Sequence, residues 1–244
     1  MRDLSSFTNH LIAAHRQKAT FDAKAPVPET AEEAYAVQSA LMASIGPVGG
    51  FKVSRKSGAV ATMAPIPSSR CFKSGDRVGT TARVGVELEV GFVVTGRLPA
   101  PDDPAFQDKL VAAVRPAPMI ELVASRLSGE PAEKPMPKLA DLQASEGLIA
   151  GEPLASWDGS DFGALDISMA SDEGDICTGQ AQVPNGSALA ALETLVRMAG
   201  SHCGGLQVGQ RLLTGSVHPL TFIRTNQAVK GRIAGLGEVA VQLC

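Results

Sequence analysis

The stretch that most constrains this chain is Val84 to Thr95, VGVELEVGFVVT. β-Branched and apolar residues fill it, and Gly85 and Gly96 punctuate its ends, which together spell a strand. Val84, Val86, Leu88, Val90, Phe92 and Val93 make both faces mostly apolar, the pattern of a strand buried on both sides. Into that setting the sequence puts Glu87 and Glu89. Residues two apart on a strand share a face, so two carboxylates stand side by side. Unpaired buried carboxylates are costly and adjacent ones repel. A positive charge between them, most economically a divalent metal, would relieve both penalties. A solvated Glu-x-Glu face on an amphipathic edge strand is the ordinary alternative, and it stays open on this stretch alone.

Around this strand the chain reads as follows. Residues 4 to 17 predict a helix with Leu4, Phe7, Leu11 and Ala14 on one face and Asp3 near its start. Thr30 and Glu33 form a capping box, opening a helix that carries Ala34, Val37, Leu41 and Ile45 and stops at Gly46-Pro47. A helical N-terminal section therefore covers residues 1–47 and a mixed β core residues 48–244. Gly49 to Val53 starts a strand. Ala59 to Phe72, with Pro65 and Pro67, is expected to be an irregular loop over a cleft. A short helix at Phe106 to Val114 precedes a strand at Pro116 to Leu127, then a Pro-rich connection from Glu130 to Lys138. Leu148 to Gly151, Ala164 to Ala170 and Gly179 to Val183 read as strands. Asn185 or Ser187 caps a helix over Ala188–Ala199, and Leu212 to Thr221 and Gln227 to Leu243 close the chain as strands, the last with glycines suited to bulges or sharp curvature. The strands are not regularly separated by long helices, which argues against a parallel Rossmann-like sheet. The expected class is α+β, with a curved mixed β-sheet core flanked by helices.

Composition excludes several functions. Hydrophobic residues at 44% and charged residues at 19% describe a globular chain able to bury a sizeable core. Aromatics at 4% are too few for a base- or sugar-stacking platform, and a net charge of −3 with scattered Lys and Arg offers no basic patch for nucleic acid. No apolar run approaches membrane-spanning length, and the N-terminus lacks a signal-peptide pattern. Cys71, Cys177, Cys203 and Cys244 are far apart, with no CxxC pair and no disulfide framework, so a reduced cytoplasmic setting is expected.

A third carboxylate, Glu121, sits among Met119, Ile120, Leu122 and Val123 on the second predicted strand. Glu87, Glu89 and Glu121 together offer three oxygen ligands, which suit Mg²⁺ or Mn²⁺ better than zinc. Lys52 is the charged residue in an apolar strand start, although a lysine snorkelling at a sheet edge would read the same way. His10 and His15 are expected at the surface of the first helix. His202 and Cys203 are adjacent in sequence and not expected to point the same way. The glycines from Gly200 to Gly209 follow a helix and fail the context of a dinucleotide loop, and no nucleophile elbow is present.

Five segments, in order, carry a resemblance: Gly50-Phe51-Lys52-Val53, Glu87-Leu-Glu89-Val-Gly-Phe92, Ile120-Glu121-Leu-Val-Ala-Ser125-Arg126, Ala144-Ser145-Glu-Gly147 through Gly151, and Leu213-Thr214-Gly215-Ser216 before a Gly-rich end. Along most of its length the chain resembles the 2-keto-4-pentenoate hydratase group of the fumarylacetoacetate hydrolase superfamily. The resemblance implies a fumarylacetoacetase C-terminal-like core with a metal on Glu87, Glu89 and Glu121. That metal would chelate the carboxylate and 2-oxo group of a small 2-oxo acid such as 2-oxopent-4-enoate and stabilise a dienolate. Lys52 would stand at the substrate oxygens as a positive or proton-transferring group, with Ser145 and Thr214 hydrogen-bonding the carboxylate. The outcome would be hydration of a conjugated C=C. Self-association into a homo-oligomer is expected, of an order the sequence leaves open.

This sequence also departs from the group. The family's acid after the lysine strand is absent from Pro65-Ile-Pro-Ser-Ser-Arg70, its Asp after the third ligand is Ala124, and its Asp-Asn is Leu142-Gln143. Glu146 and His218 are the local polar substitutes. The resemblance therefore implies an intact metal site within an altered proton-handling shell. It leaves room for a 2-oxo-enedioate decarboxylase with a cationic pocket from Arg55, Lys56 and Arg70, and for an acylpyruvate C–C hydrolase with His218 as base. It also leaves room for a member that binds without turnover.

Overall fold

The computed structural model describes residues 2–24, 26–55 and 58–244. In chain order the elements are α1 (Ser5–Gln17), β1 (Phe21–Asp22), α2 (Ala31–Ile45), β2 (Val48–Ser54), β3 (Thr62–Pro67), β4 (Cys71–Lys73), β5 (Arg77–Val78) and β6 (Arg83–Val94). They continue with α3 (Phe106–Ala113), β7 (Val114–Val123), β8 (Leu127–Ser128), α4 (Pro135–Ala140), β9 (Ser145–Ala150), β10 (Ala164–Ser171) and β11 (Gly174–Gln182). The last are α5 (Ala188–Ala199), β12 (Arg211–Ser216), β13 (Thr221–Arg224), β14 (Ala228–Ile233) and β15 (Gly237–Leu243).

An eight-stranded sheet runs β3-β2-β12-β6-β7-β9-β4, with β13 pairing the outer half of β6, and curls into a half-barrel. It is mixed: β12 pairs β2, and β4 pairs β9, in parallel, while β7 pairs antiparallel with both β6 and β9. A five-stranded sheet, β11-β10-β14-β15-β5, packs behind it. One face of β6 and β7, with Leu88, Val90, Phe92, Ile120 and Leu122, meets Val229, Ile233, Val239 and Val241 of the second sheet and Leu192 and Leu195 of α5 in one continuous core. The other face carries Ile66, Ala117, Met119, Leu148, Ala150 and Leu213. β6 is therefore buried on both faces, and the solvated edge-strand reading of its glutamates does not hold. The curved α+β core expected from the sequence is the one observed.

The capping box on α2 is present, with Thr30 Oγ1 accepting from the Glu33 amide at 3.2 Å. Ser187, rather than Asn185, caps α5 by accepting from the Ala190 amide at 2.9 Å. Leu4, Phe7 and Leu11 of α1 and Ala34, Val37 and Leu41 of α2 bury against Leu127, Leu139, Ala140 and Leu142. The helical section thus rests its apolar face on the connection between β7 and β9. That connection holds α4 and is not simply extended.

Two expectations need correction. The segment expected to be an irregular loop contains β3, which pairs antiparallel with β2 through Pro65 opposite Phe51 and Pro67 opposite Val48. It lies at a sheet edge, where the missing proline amides face away from the ladder. The last predicted strand is a hairpin of β14 and β15, because Gly235 (φ +76°) turns the chain where bulges were expected. Among the described residues no helix is long and apolar enough to cross a membrane.

Candidate metal centre

β6 and β7 pair so that Glu87 stands directly opposite Glu121. Glu89 follows two residues along on the same face, and one carboxylate oxygen from each of the three lies within 4.8 Å of the others. Glu121 is fully buried, Glu89 is 2% exposed and Glu87 is partly open. Lys52 reaches in from β2, with Nζ 2.5 and 2.6 Å from the two oxygens of Glu121. The amide of Gly215 donates to Glu89 Oε2 at 2.8 Å. Three negative charges thus face one ammonium.

At such spacing each like-charged pair costs about 4 kcal/mol at an effective dielectric near 20. The titration behaviour follows. Burial first, then Glu121 and Glu87, push the Glu89 carboxyl well above its ordinary range. Burial and Glu121 raise Glu87. On Lys52 burial works downward, but Glu121, Glu89 and Glu87 together outweigh it and raise its pKa. A buried all-oxygen cluster short of positive charge fits a hard divalent cation such as Mg²⁺ or Mn²⁺ and lacks the nitrogen and sulfur donors zinc prefers.

Next to the triad the backbone is strained. Leu142, Gln143 and Ala144 take φ values of +49°, +55° and +59°, three consecutive non-glycine residues in the left-handed region. The Ala144 amide donates to Asp141 O at 2.8 Å and Ala144 O accepts from the Ala124 amide at 2.8 Å. Gln143 Nε2 donates to Thr62 Oγ1 at 2.9 Å. This turn delivers Ser145 opposite Val123, two residues along β7 from Glu121. Ser145 is 1% exposed, and its Oγ has no hydrogen-bond partner among the described residues.

The other predicted site residues fare differently. Thr214 is buried near Gly215, but its hydroxyl donates to Val90 O at 2.6 Å, so its proton is not available to a substrate carboxylate. His218 accepts from the Leu88 amide at Nε2 (2.9 Å), and its Nδ1 donates to Pro219 O (2.7 Å). With both nitrogens on backbone and burial lowering its pKa, His218 is a neutral staple with no nitrogen free to move a proton. Glu146 falls at a register shift between β7 and β9 and is ion-paired to Arg126 and Arg70, away from the triad. Arg55 has a buried Nη1 without a partner among the described residues. Arg70 instead donates to His15 O at 3.0 Å, and Lys56 lies outside the described residues.

Sequence reasoning missed a buried polar network. His15, expected at the surface, is 3% exposed, with Nε2 2.8 Å from Asp141 Oδ1. Asp141 also accepts from Ser125 Oγ (2.9 Å) and from the Arg126 amide (2.7 Å). Arg126 and Asp141, charged residues in apolar windows, were the available signal. His202 and Cys203 do point together: Cys203 Sγ lies 3.4 Å from His202 Nε2, which also contacts Gln38 Oε1 at 2.8 Å. Burial raises the thiol's pKa, so the pair is not an activated nucleophile. The cavity at the ends of α1 and α2 and the one beside Gly96 to Ala100 include none of the triad glutamates. The chemistry, not the empty volume, marks the site.

No family model matches the chain. Two curated relatives, 2-keto-4-pentenoate hydratase of Paraburkholderia xenovorans (strain LB400) and 2-keto-4-pentenoate hydratase 3 of Pseudomonas putida, are each 26% identical over 157 residues. The match takes in 64% of this chain and spans 58% of each relative's length. Among solved structures, 4-oxalocrotonate decarboxylase from Pseudomonas putida G7, complexed with magnesium and adipate, superposes with a TM-score of 0.80 at 17% identity, covering 98% of this chain and 96% of that one. Fumarylpyruvate hydrolase from Pseudomonas aeruginosa, in complex with Mn²⁺ and pyruvate, gives a TM-score of 0.55 at 15% identity, covering 82% and 90%. The resemblance to the 2-keto-4-pentenoate hydratase group is present in sequence, and the fold is shared with structures of the fumarylacetoacetate hydrolase family.

Proposed function

We propose that this chain is a metal-dependent lyase, hydratase-like, acting on a small unsaturated 2-oxo acid such as 2-oxopent-4-enoate. The observation that carries the proposal is the buried Glu87–Glu89–Glu121 cluster, with its oxygens within 4.8 Å and Lys52 on Glu121. A divalent ion held by these glutamates, Mg²⁺ or Mn²⁺, supplies Lewis acidity for a chelated 2-oxo acid. Lys52, kept protonated by its carboxylate neighbours, holds positive charge beside the substrate oxygens. Ser145 Oγ, buried and without a partner among the described residues, donates to the substrate carboxylate. Met119, Leu148 and Leu213 line the same face and exclude bulk water around the carbon chain. Neither Thr214 nor His218 has a free proton site, so they shape the site through backbone contacts.

A second reading is a 2-oxo-enedioate decarboxylase, which needs the same chelation and no added water. Arg55 Nη1, without a partner among the described residues, favours it, since a second carboxylate would satisfy that guanidinium, as does the superposition on a 4-oxalocrotonate decarboxylase over 98% of the chain. The acylpyruvate hydrolase reading loses its base with His218.

Calorimetric titration with Mg²⁺ and Mn²⁺, with and without oxalate as a 2-oxo acid mimic, on the wild type and on Glu89→Gln, tests the proposal. Metal binding that oxalate tightens and Glu89→Gln abolishes is expected. A screen of unsaturated 2-oxo acids, following loss of the conjugated absorbance and release of CO₂, then separates hydration from decarboxylation. Absence of metal binding in the wild type would sink both readings.

A further inference from the structure

A cavity of about 380 Å³ lies where the ends of α1 and α2 meet the turn before β4, lined among others by His15, Arg16, Lys18, Ser44, Arg70 and Glu146. Its charge is one-sided. Arg16 donates to Ser44 O at 2.9 Å and Lys18 to Gly79 O at 2.8 Å, both backbone carbonyls. Neither has a carboxylate partner among the described residues. The one acid on the wall among the described residues, Glu146, is already paired with Arg126, which is 1% exposed. Arg70 contacts that same Glu146 oxygen only at 3.5 Å, and its Nη1 is buried without a hydrogen bond among the described residues.

Three cations, Arg16, Lys18 and Arg70, therefore face one cavity whose lining holds a single carboxylate among the described residues, shared by Arg70 and Arg126, in a chain whose net charge is −3. Leaving guanidinium and ammonium groups uncompensated in a concave, partly desolvated place focuses positive potential there. Guanidinium in particular suits oxyanions, because its planar donors match carboxylate or phosphate geometry. A buried polar wall adds to the picture. His15, nine-tenths or more buried, uses Nε2 on Asp141 and leaves Nδ1 without a partner among the described residues.

From this clustering of Arg16, Lys18 and Arg70 around one cavity, with the only wall carboxylate already paired, we infer a second ligand site that binds a small dianion bearing phosphate or carboxylate groups. The site stands apart from the glutamate triad and does not depend on the function proposed for it. Arg70, its side chain 12% exposed, is the most buried of the three cations, and Arg16 and Lys18 are exposed at the end of α1. Through Arg126 and Glu146 the cavity abuts β9, and through His15 and Asp141 it abuts the strained turn that presents Ser145. An anion here bears on the segment that carries the triad's unpartnered hydroxyl.

The test titrates the full chain by calorimetry with inorganic phosphate and, separately, with succinate, which distinguishes a phosphate from a dicarboxylate source. Saturable 1:1 binding of at least one of them is expected, weakened at least 10-fold in Arg16→Gln/Lys18→Gln, whose side chains are exposed and donate only to Ser44 and to Gly79 O. Glu89→Gln should bind the same anion with unchanged affinity, which separates this site from the triad. Arg70→Lys, keeping the charge and losing the planar donors, should weaken binding while leaving the thermal midpoint of the ligand-free chain close to wild type. Absence of saturable binding of both probes, or equal binding by wild type and the Arg16/Lys18 variant, would overturn the inference. So would loss of binding in Glu89→Gln, which would place the anion at the triad.

Discussion

Lys52 Nζ holds both oxygens of Glu121, at 2.5 and 2.6 Å, inside a sheet buried on both faces. The lysine side chain is 12% exposed and the glutamate not at all. This ion pair is the metal-free chain's partial answer to three converging carboxylates.

Removing the lysine leaves Glu121 uncompensated. Lys52→Met is expected to lower the unfolding free energy of the metal-free protein by about 3–5 kcal/mol, the usual cost of orphaning one member of a buried pair. Denaturant melts in EDTA and in Mn²⁺ read this, and Mn²⁺ should recover more stability in Lys52→Met than in wild type. An unchanged midpoint in EDTA would show that Lys52 and Glu121 are not coupled in solution.

Glu89 gives a pH dependence with a definite sign. Its folded pKa is raised by burial and by Glu121 and Glu87, so between the ordinary carboxylate range and the raised value the folded chain binds more protons than the unfolded chain. Stability from this group therefore falls as pH rises through that window. In EDTA, Glu89→Gln should be more stable than wild type at neutral pH by about 1 kcal/mol, seen as ~2–4 °C in Tm for a chain of this size. The advantage should vanish near pH 4. Metal affinity of the wild type should rise with pH over the same window, because the ion displaces protons. A difference between the two proteins that grows toward acid would contradict this assignment.

Ser145 separates ligand binding from folding. Its Oγ is buried without a partner among the described residues, so Ser145→Ala removes an unsatisfied group and is expected to be neutral or stabilising by up to about 1 kcal/mol. The same variant should weaken oxalate binding to the metal-loaded protein by ~10-fold, the worth of one hydrogen bond to a charged group. Paired melting and calorimetry decide it. Destabilisation with unchanged oxalate affinity would make Ser145 a purely structural residue.

His218 is expected to behave as a staple. Its Nε2 accepts from the Leu88 amide between the two glutamates of β6. His218→Phe leaves that amide unpaired and should cost about 1–3 kcal/mol of stability. Activity on whichever 2-oxo acid the screen yields should keep the same pH profile within experimental scatter. Loss of an ionisation from the profile in His218→Phe would restore its role as a base.

Much of the fold was legible because it is written in local pattern. The double-faced apolar run of β6 demanded a central strand, Thr30 and Glu33 announced the start of α2, and Glu121 amid Met119, Ile120, Leu122 and Val123 marked a third carboxylate on a buried strand. β3 was not legible, because two prolines mask a strand when it is unknown that the strand lies at an edge. His15 was misplaced because helix periodicity gives a face and not what covers it. Only packing against Asp141 buries it.

The sequence by itself determined which residues could hold a divalent ion: carboxylates at Glu87, Glu89 and Glu121 in strands too apolar to leave them solvated. That is a property of residue type and period-two alternation, and it needs no partner strand. The tertiary structure decided everything that depends on register and on strained backbone. Antiparallel pairing of β6 and β7 puts Glu121 opposite Glu87 and not one residue away on the other face. The left-handed turn at Leu142–Ala144 sets Ser145 opposite Val123, two residues along β7 from Glu121; a bond to Val90 O commits the Thr214 hydroxyl proton expected for a substrate carboxylate, and bonds to Leu88 and Pro219 take His218 out of proton transfer. Those outcomes rest on contacts between segments more than a hundred residues apart in some cases, as with His218 and Leu88, and no local pattern encodes the free energy of such a contact.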